Sequence, residues 1–373
     1  MIIGTPKEIK EDETRVAMTP YWAKKLVESG HEVLIQKGAG VLSGFCDDQY
    51  IEAGARLVDT LEDVYEQAEF VTKVKELMPR EFDLIRENQL LMTWLHLAED
   101  HDKPMTQALM DRKTIALSME LIVLDDGSRP TMKPMSEIAG SLGMLESVKY
   151  CQTINGGTGI FLKKVKGLPT PKVVIVGGGN AGSAAAQVAL GLGLRTTIIE
   201  EDYDRLEWLK YALPGAEILL SEEGLIEREA LDCDVFVNCV YPSPEPGERK
   251  YILKRETIRK MTNCSLIMDI AGAKTIETGK YTTLSEPVYV EEGVLHYGVD
   301  NMPSLIPKTA TEALLMITGP YIMAIAEKGL RKAAEEDASI RRCISTVGGK
   351  LVHEEIAINQ ELPYTELDLD MLP

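Results

Sequence analysis

Residues 173–201 read VVIVGGGNAGSAAAQVALGLGLRTTIIEE, and no other stretch constrains the fold of this chain as strongly. A β-branched run, 173–176, enters Gly177-Gly178-Gly179-Asn180-Ala181-Gly182. A small-residue helical segment follows, and a second β-branched run, 196–199, ends at Glu200. Strand, glycine turn, helix, strand and acid, in that order, are what a dinucleotide-binding unit requires. Gly177 makes the tight turn, Gly179 lets the backbone approach a pyrophosphate, and Gly182 lets the helix pack on the first strand. The helix start at Asn180 and Ala181 faces the phosphates with its unpaired N–H groups. Glu200 stands where a carboxylate accepts both ribose hydroxyls and repels a 2′-phosphate, so the expected cofactor is NAD rather than NADP.

The 373 residues suffice for two domains, each with its own core, and the 45% apolar content suits a globular α/β chain. A net charge of −19 argues against nucleic acid and anionic membranes as partners. No apolar run approaches the roughly 20 residues of a membrane span, and the N-terminus shows no signal-peptide pattern. Six cysteines, at 46, 151, 233, 239, 264 and 343, form no CxxC pair and no metal-ligand spacing. Thiols in a reducing cytoplasm, and no metal site, are the expectation.

The pattern before the glycine turn predicts a parallel βα sheet of its own. Runs at 1–5, 32–36, 70–74, 90–95 and 114–119 read as strands separated by helical stretches. Lys75, His96 and Glu120 then fall at the carboxyl ends of three successive strands, the edge where open parallel sheets bind ligands. The turn residues 125–130 mark a boundary. A helix begins near Pro134, and its start offers Ser136 either as an N-cap or to a phosphate. Beyond Glu200 the spacing predicts a helix over 204–211 and strands over 218–220, 235–240, 266–270 and 294–299. Val240 closes one of these strands beside the expected cofactor, and Asp300-Asn301 closes another. PSPEPGERK at 242–250 reads as an exposed loop near the nicotinamide end, 309–328 as a long apolar helix, and the chain as helical to about residue 357. The fold class is α/β, with two Rossmann-like doubly wound domains.

Several strings resemble the alanine dehydrogenase family and its transhydrogenase and saccharopine dehydrogenase relatives: GTPKEIKEDETRVAMTP, GHEVLIQKGAG, FVTKVKE, LLMTWLHLA, PMSEIAG, VVIVGGGNAG, NMPSLIPKTAT and GGKLVHEEIAINQELPYTEL. They fall in the family's order over nearly the whole chain. The resemblance implies an NAD domain, 131–305, inserted into a discontinuous substrate domain made of 1–130 and 306–373. It also implies a homohexamer acting on a small amino acid or 2-oxo acid. By resemblance Arg15 and Lys75 hold the substrate carboxylate, His96 contacts the reacting carbonyl or amine, and Asn301 lies against the nicotinamide. The chemistry agrees, because hydride transfer from Cα needs a fixed carboxylate, and water attack on the resulting iminium needs a base that titrates near neutrality.

One departure stands out. In alanine dehydrogenases a catalytic aspartate follows the DIA strand end two residues on, whereas here Asp269-Ile270-Ala271 leads to Ala273. Asp300 stands where those enzymes carry a small residue, and VDNMPSLIP is closer to the VDHLPSLLP-type string of saccharopine and opine-forming enzymes. In those, a Lys, a His, a Glu and this Asp surround a secondary amine, and Lys75, His96, Glu120 and Asp300 match them. Oxidative deamination of L-alanine is the leading expectation, with Asp300 replacing the missing carboxylate. A dehydrogenase of secondary amines is the alternative, and an NAD-binding sensor without catalysis is a third.

Overall fold

The computed structural model describes residues 1–97, 103–241, 251–272 and 275–373. The chain divides into two compact units, one of residues 1–135 and 304–373, the other of residues 136–303. In the first unit lie β1 (Ile2–Thr5), β2 (Glu32–Gln36), β3 (Arg56–Val58), β4 (Phe70–Thr72), β5 (Leu90–Thr93) and β6 (Ile115–Ser118). The second holds β7 (Lys172–Val176), β8 (Arg195–Glu200), β9 (Glu217–Leu220), β10 (Val235–Asn238), β11 (Leu266–Asp269), β12 (Val288–Glu291) and β13 (Val294–Tyr297). The chain then returns to the first unit with β14 (Ile344–Val347) and β15 (Lys350–Leu351).

The first sheet runs β15-β14-β6-β5-β4-β1-β2-β3 and the second β12-β13-β11-β10-β7-β8-β9. Ignoring the antiparallel edge strands, both follow the doubly wound order 3-2-1-4-5-6. Each therefore has one point where successive connections leave in opposite directions, β1/β4 in the first unit and β7/β10 in the second. Ligands bind outside the carboxyl ends of the strands at such points. β4, β5, β6, β7, β10 and β11 are buried along their whole length, as parallel strands covered by helices on both faces must be.

Local chemistry explains the other elements. Thr19 caps the helix Pro20–Glu28 by accepting the Trp22 N–H at 3.4 Å, with Pro20 at the first helical position. The helix Pro307–Lys328 is long and apolar enough to cross a membrane by length and composition, yet half of its apolar window is buried. It packs so closely on the Pro20–Glu28 helix that a Cβ on Gly319 would sit 2.2 Å from the Trp22 ring.

The helical reading up to residue 357 needs correction. After the helix Ala338–Arg342 the chain forms β14 and β15, and β14 runs antiparallel to β6. Gly348 and Gly349, at φ 57° and 78°, make the two-residue hairpin loop between them. The Gly-Gly pair between short apolar runs carried that signal, which the flanking helical pattern obscured. The short edge strands β3 and β12 were also absent from the sequence reading.

Candidate active site

The glycine turn of the second unit has the shape a dinucleotide needs. Gly177 has φ 89°, a value L-residues rarely adopt, and a Cβ there would meet the Cys239 carbonyl at 3.0 Å. A Cβ on Gly182 would lie 1.8 Å from the Gly177 carbonyl oxygen, so only glycine lets the helix Asn180–Gly191 start this close to β7. Gly179 has nothing within 4 Å of its Cβ position, leaving the backbone open above the helix start at Asn180 and Ala181. The cradle fits the pyrophosphate of NAD on its own geometry.

Glu200 ends β8 with its carboxylate already engaged. Oε2 accepts the Gly178 N–H at 2.6 Å, and Oε1 accepts those of Glu201 at 2.8 Å and Asp202 at 3.0 Å. Of the roughly four acceptor positions of a carboxylate, about one is left for a ribose hydroxyl. Sequence reasoning missed Arg205, whose Nε donates to the Gly178 carbonyl at 2.7 Å while its guanidinium stacks 4.0 Å from the Trp208 ring centroid. Nothing in the linear order connects Arg205 to Gly178; only the folded turn does.

The ends of β10 and β11 lock together beside this turn. Asn238 donates to Asp269 Oδ1 at 2.7 Å and to Thr275 Oγ1 at 2.8 Å, while its own oxygen accepts the Val240 N–H at 3.1 Å. Val240 is thereby set 3.2 Å from the Cβ position of Gly177. Burial pushes the Asp269 carboxyl up to about 6, against the Asn238 hydrogen bond and the N–H groups of Ala271 and Gly272. Beyond β13, Asp300 is exposed and Asn301 is buried. Ala273 and the loop 242–250 lie outside the described residues.

Ser136 needs a correction. The helix starts at Met132, not near Pro134, so Ser136 is one turn inside it. Its backbone N–H is past the four unpaired ones at the helix start, and neither an N-cap nor an N–H contact to phosphate is available; only its half-buried hydroxyl can serve.

In the first unit, the loop after β1 carries Arg15 and the segment after β4 carries Lys75, so both flank the β1/β4 switch point. Arg15 is buried and gripped by Glu13, with Nε to Oε1 at 2.7 Å and Nη2 to Oε2 at 2.6 Å. Its Nη1 also lies 3.3 Å from the Met135 sulfur. Arg15 thus meets any substrate with its plane already fixed. Glu13 was not singled out in the sequence, although an acid two residues before the arginine in EDETR is the visible trace.

The Lys75 ammonium makes no hydrogen bond or ion pair among the described residues, and burial, Arg15 and Lys10 hold it below its usual range. Lys10 is itself paired to Glu76 at 2.5 Å. Burial opposes the charge on Glu76, but Lys75, Lys10 and His96 keep its carboxyl below the ordinary value. An underpaired cation beside like charges is a seat for an anion.

His96 lies at the end of the β5 segment with φ 55°, in the left-handed region that non-glycine residues rarely enter. Its N–H donates to Glu120 Oε1 at 2.7 Å, and the Leu95 N–H to Oε2 at 3.3 Å. Glu120, 1% exposed, was expected to bind substrate. In the folded chain it also holds the backbone. A buried carboxylate must be hydrogen-bonded, and part of this one's acceptor capacity holds the main chain at Leu95 and His96. Lys75, His96 and Arg15 remain together at the carboxyl edge of one sheet.

Comparison with known proteins agrees with this geometry. The Alanine dehydrogenase/PNT N-terminal domain family matches residues 4–139, and the Alanine dehydrogenase/PNT C-terminal domain family matches residues 143–354. The chain is 38% identical to an alanine dehydrogenase of Methanococcus maripaludis over 370 residues, covering 98% of each. It is also 38% identical to that of Geobacillus stearothermophilus over 373 residues, again with 98% of each covered. A solved L-alanine dehydrogenase superposes with a TM-score of 0.90 at 37% identity, over 96% of this chain and 99% of that one. A transhydrogenase from Sinorhizobium meliloti, 20% identical with a TM-score of 0.78, shares the fold over 95% of this chain and 99% of its own. From its first strand to its last hairpin, then, the chain is a member of the alanine dehydrogenase/PNT family.

Proposed function

We propose that this chain is an NAD-dependent L-alanine dehydrogenase, converting L-alanine, NAD and water into pyruvate, ammonium, NADH and a proton, reversibly. The observation that carries the reading is the underpaired Lys75 ammonium beside Arg15 at the β1/β4 switch point, in a chain 38% identical to alanine dehydrogenases over nearly its full length. NAD supplies the hydride acceptor when bound, and Gly177, Gly179, Asn180, Ala181, Gly182 and Glu200 would hold it, with Ser136, Val240 and Asn301 completing its surroundings. Arg15 and Lys75 orient the substrate by its carboxylate, which fixes the direction of the Cα–H bond. His96 takes a proton from the attacking water in deamination and returns it in the reverse direction. Asp300 supplies the second carboxylate function that the family places two residues after the DIA strand end.

The alternative, a secondary-amine dehydrogenase, draws on Ala273, on the VDNMPSLIP string and on the set Lys75, His96, Glu120 and Asp300, and the relatives named alanine dehydrogenases do not favour it. We further infer a cytoplasmic homo-oligomer, hexameric by family resemblance. Six free cysteines support the compartment. Exposed Tyr21 and Met316, lining one groove of the first unit, support self-association. A coupled set of assays tests the activity: NADH oxidation with pyruvate, glyoxylate or 2-oxoglutarate, each with ammonia or with an amino acid as the amine. Turnover should be greatest with pyruvate and ammonia. Turnover that requires the amino acid would replace this reading with the secondary-amine one.

A further inference from the structure

We propose that Glu8 is a positioning residue for substrate capture: its carboxylate holds the main chain at Val74 and so fixes where the neighbouring Lys75 places its ammonium. The inference rests on the reading that Lys75 binds the substrate carboxylate.

The geometry begins with the end of a ladder. β1 and β4 pair through Ile3 with Phe70 and Gly4 with Val71, and Pro6 follows β1. Val74 lies beyond the last paired position, and its N–H needs another acceptor. Glu8 provides it: Oε1 accepts the Val74 N–H at 2.6 Å, from a buried side chain. On the other side, the Lys75 carbonyl accepts Thr93 Oγ1 at 2.7 Å, and the Val74 carbonyl accepts the Trp94 N–H at 3.3 Å. The peptide that bears Lys75 is therefore fixed from two directions by groups beyond the regular sheet. Of these, only Glu8 is ionisable.

Every charged group around Glu8 affects its acceptor strength. Lys73 Nζ, fully buried, stands 3.6 Å from Glu8 Oε2 and 2.5 Å from Glu81 Oε1. Tyr65 donates to the same Glu81 oxygen at 2.9 Å, and Glu13 faces Glu8 from the loop they share. One ammonium thus serves two buried carboxylates. Burial raises the Glu8 carboxyl to about 7, with Glu13 and Glu81 adding to the rise and Lys73 and the Val74 hydrogen bond opposing it. Near neutral pH Glu8 changes between an ionised acceptor, which binds an N–H more strongly, and a neutral one.

The test compares Glu8→Gln, Glu8→Ala and Lys75→Ala in the full-length protein. It uses the KM for pyruvate at fixed ammonia from pH 6 to 8, kcat, and the Kd for NADH by fluorescence titration. Protonated Glu8 and glutamine are near-isosteres, so Glu8→Gln should match the wild-type KM at pH 6. At pH 8 its KM should exceed the wild-type value by about three- to tenfold, the difference between a charged and a neutral acceptor. Glu8→Ala should raise the KM at both pH values, with the NADH Kd unchanged and kcat altered less than the KM. A Glu8→Gln KM equal to the wild-type value across this whole range overturns the proposal, as does a Glu8→Ala variant with wild-type KM. If Lys75→Ala raises the KM while the Glu8 variants do not, only the Glu8 role is lost. If Lys75→Ala leaves the KM unchanged, the assignment of Lys75 itself falls, and this inference with it.

Discussion

Two glycines only three residues apart should fail in opposite ways when given a methyl group. At Gly182 the new Cβ would sit 1.8 Å from the Gly177 carbonyl oxygen. Real Cβ contacts essentially never fall below 3.0 Å, so β7 and the helix Asn180–Gly191 must separate by about 1 Å or more. The obstacle is backbone, with no flexible side chain to yield. The destabilisation of Gly182→Ala should thus lie at or above the upper end of the usual overpacking range, about 3 kcal/mol. For a unit of this size that corresponds to a fall in Tm of about 6–12 °C. At Gly179 the Cβ position is empty to 4 Å. Gly179→Ala should therefore leave the Tm of the protein without nucleotide within about 2 °C of wild type. Its methyl would stand where a pyrophosphate approaches, and the Kd for NADH should rise by tenfold or more, about 1.4 kcal/mol. Thermal unfolding without nucleotide and a fluorescence titration with NADH measure the two effects. Wild-type NADH affinity in Gly179→Ala, or a wild-type Tm in Gly182→Ala, would refute this account of the glycine turn.

Three further outcomes follow from the first unit and the β13 end. Glu81→Gln removes the carboxylate 2.5 Å from the buried Lys73 ammonium and should destabilise the protein by about 3–5 kcal/mol in denaturant unfolding; a loss below about 1 kcal/mol would show that Glu8 alone satisfies Lys73. Glu8 carries its proton to about pH 7 in the folded protein, against an ordinary carboxyl value of 4.5. The native state then binds more protons than the unfolded one between these values, so stability should fall as pH rises from 4.5 to 7. At about 1.4 kcal/mol per pH unit the fall attributable to Glu8 is about 3 kcal/mol. Glu8→Gln should remove that slope, and an unchanged slope would contradict the shift. Asp300→Ala should lower kcat by about 10²-fold, as the loss of an acid–base group does; unchanged kcat would take Asp300 out of the reaction.

The parts of the site that lie in one continuous stretch were legible in the sequence. The strand–glycine–helix–strand–acid order identified the cradle around Gly177 and Gly182, because each role there is local. Lys75 and His96 were legible as following strand ends, since a short buried apolar run broken by a polar residue announces where a parallel strand stops. What the sequence did not show were pairings between elements. Glu13 with Arg15, Arg205 with Gly178, and Glu8 with Val74 become partners only once the turns are made. Glu120 shows the same limit, because nothing in a strand-end carboxylate announces that it also accepts the N–H groups of Leu95 and His96. The β14–β15 hairpin escapes the pattern for a different reason: strands of four and two residues leave too little periodicity to outweigh the helices around them.

The most direct test of the whole account follows a single atom. L-alanine deuterated at Cα, incubated with NAD and the purified protein, should yield pyruvate and NADH carrying one deuterium at the nicotinamide C4, read by mass spectrometry. Pyruvate without labelled NADH, or no NADH at all from L-alanine, would contradict it.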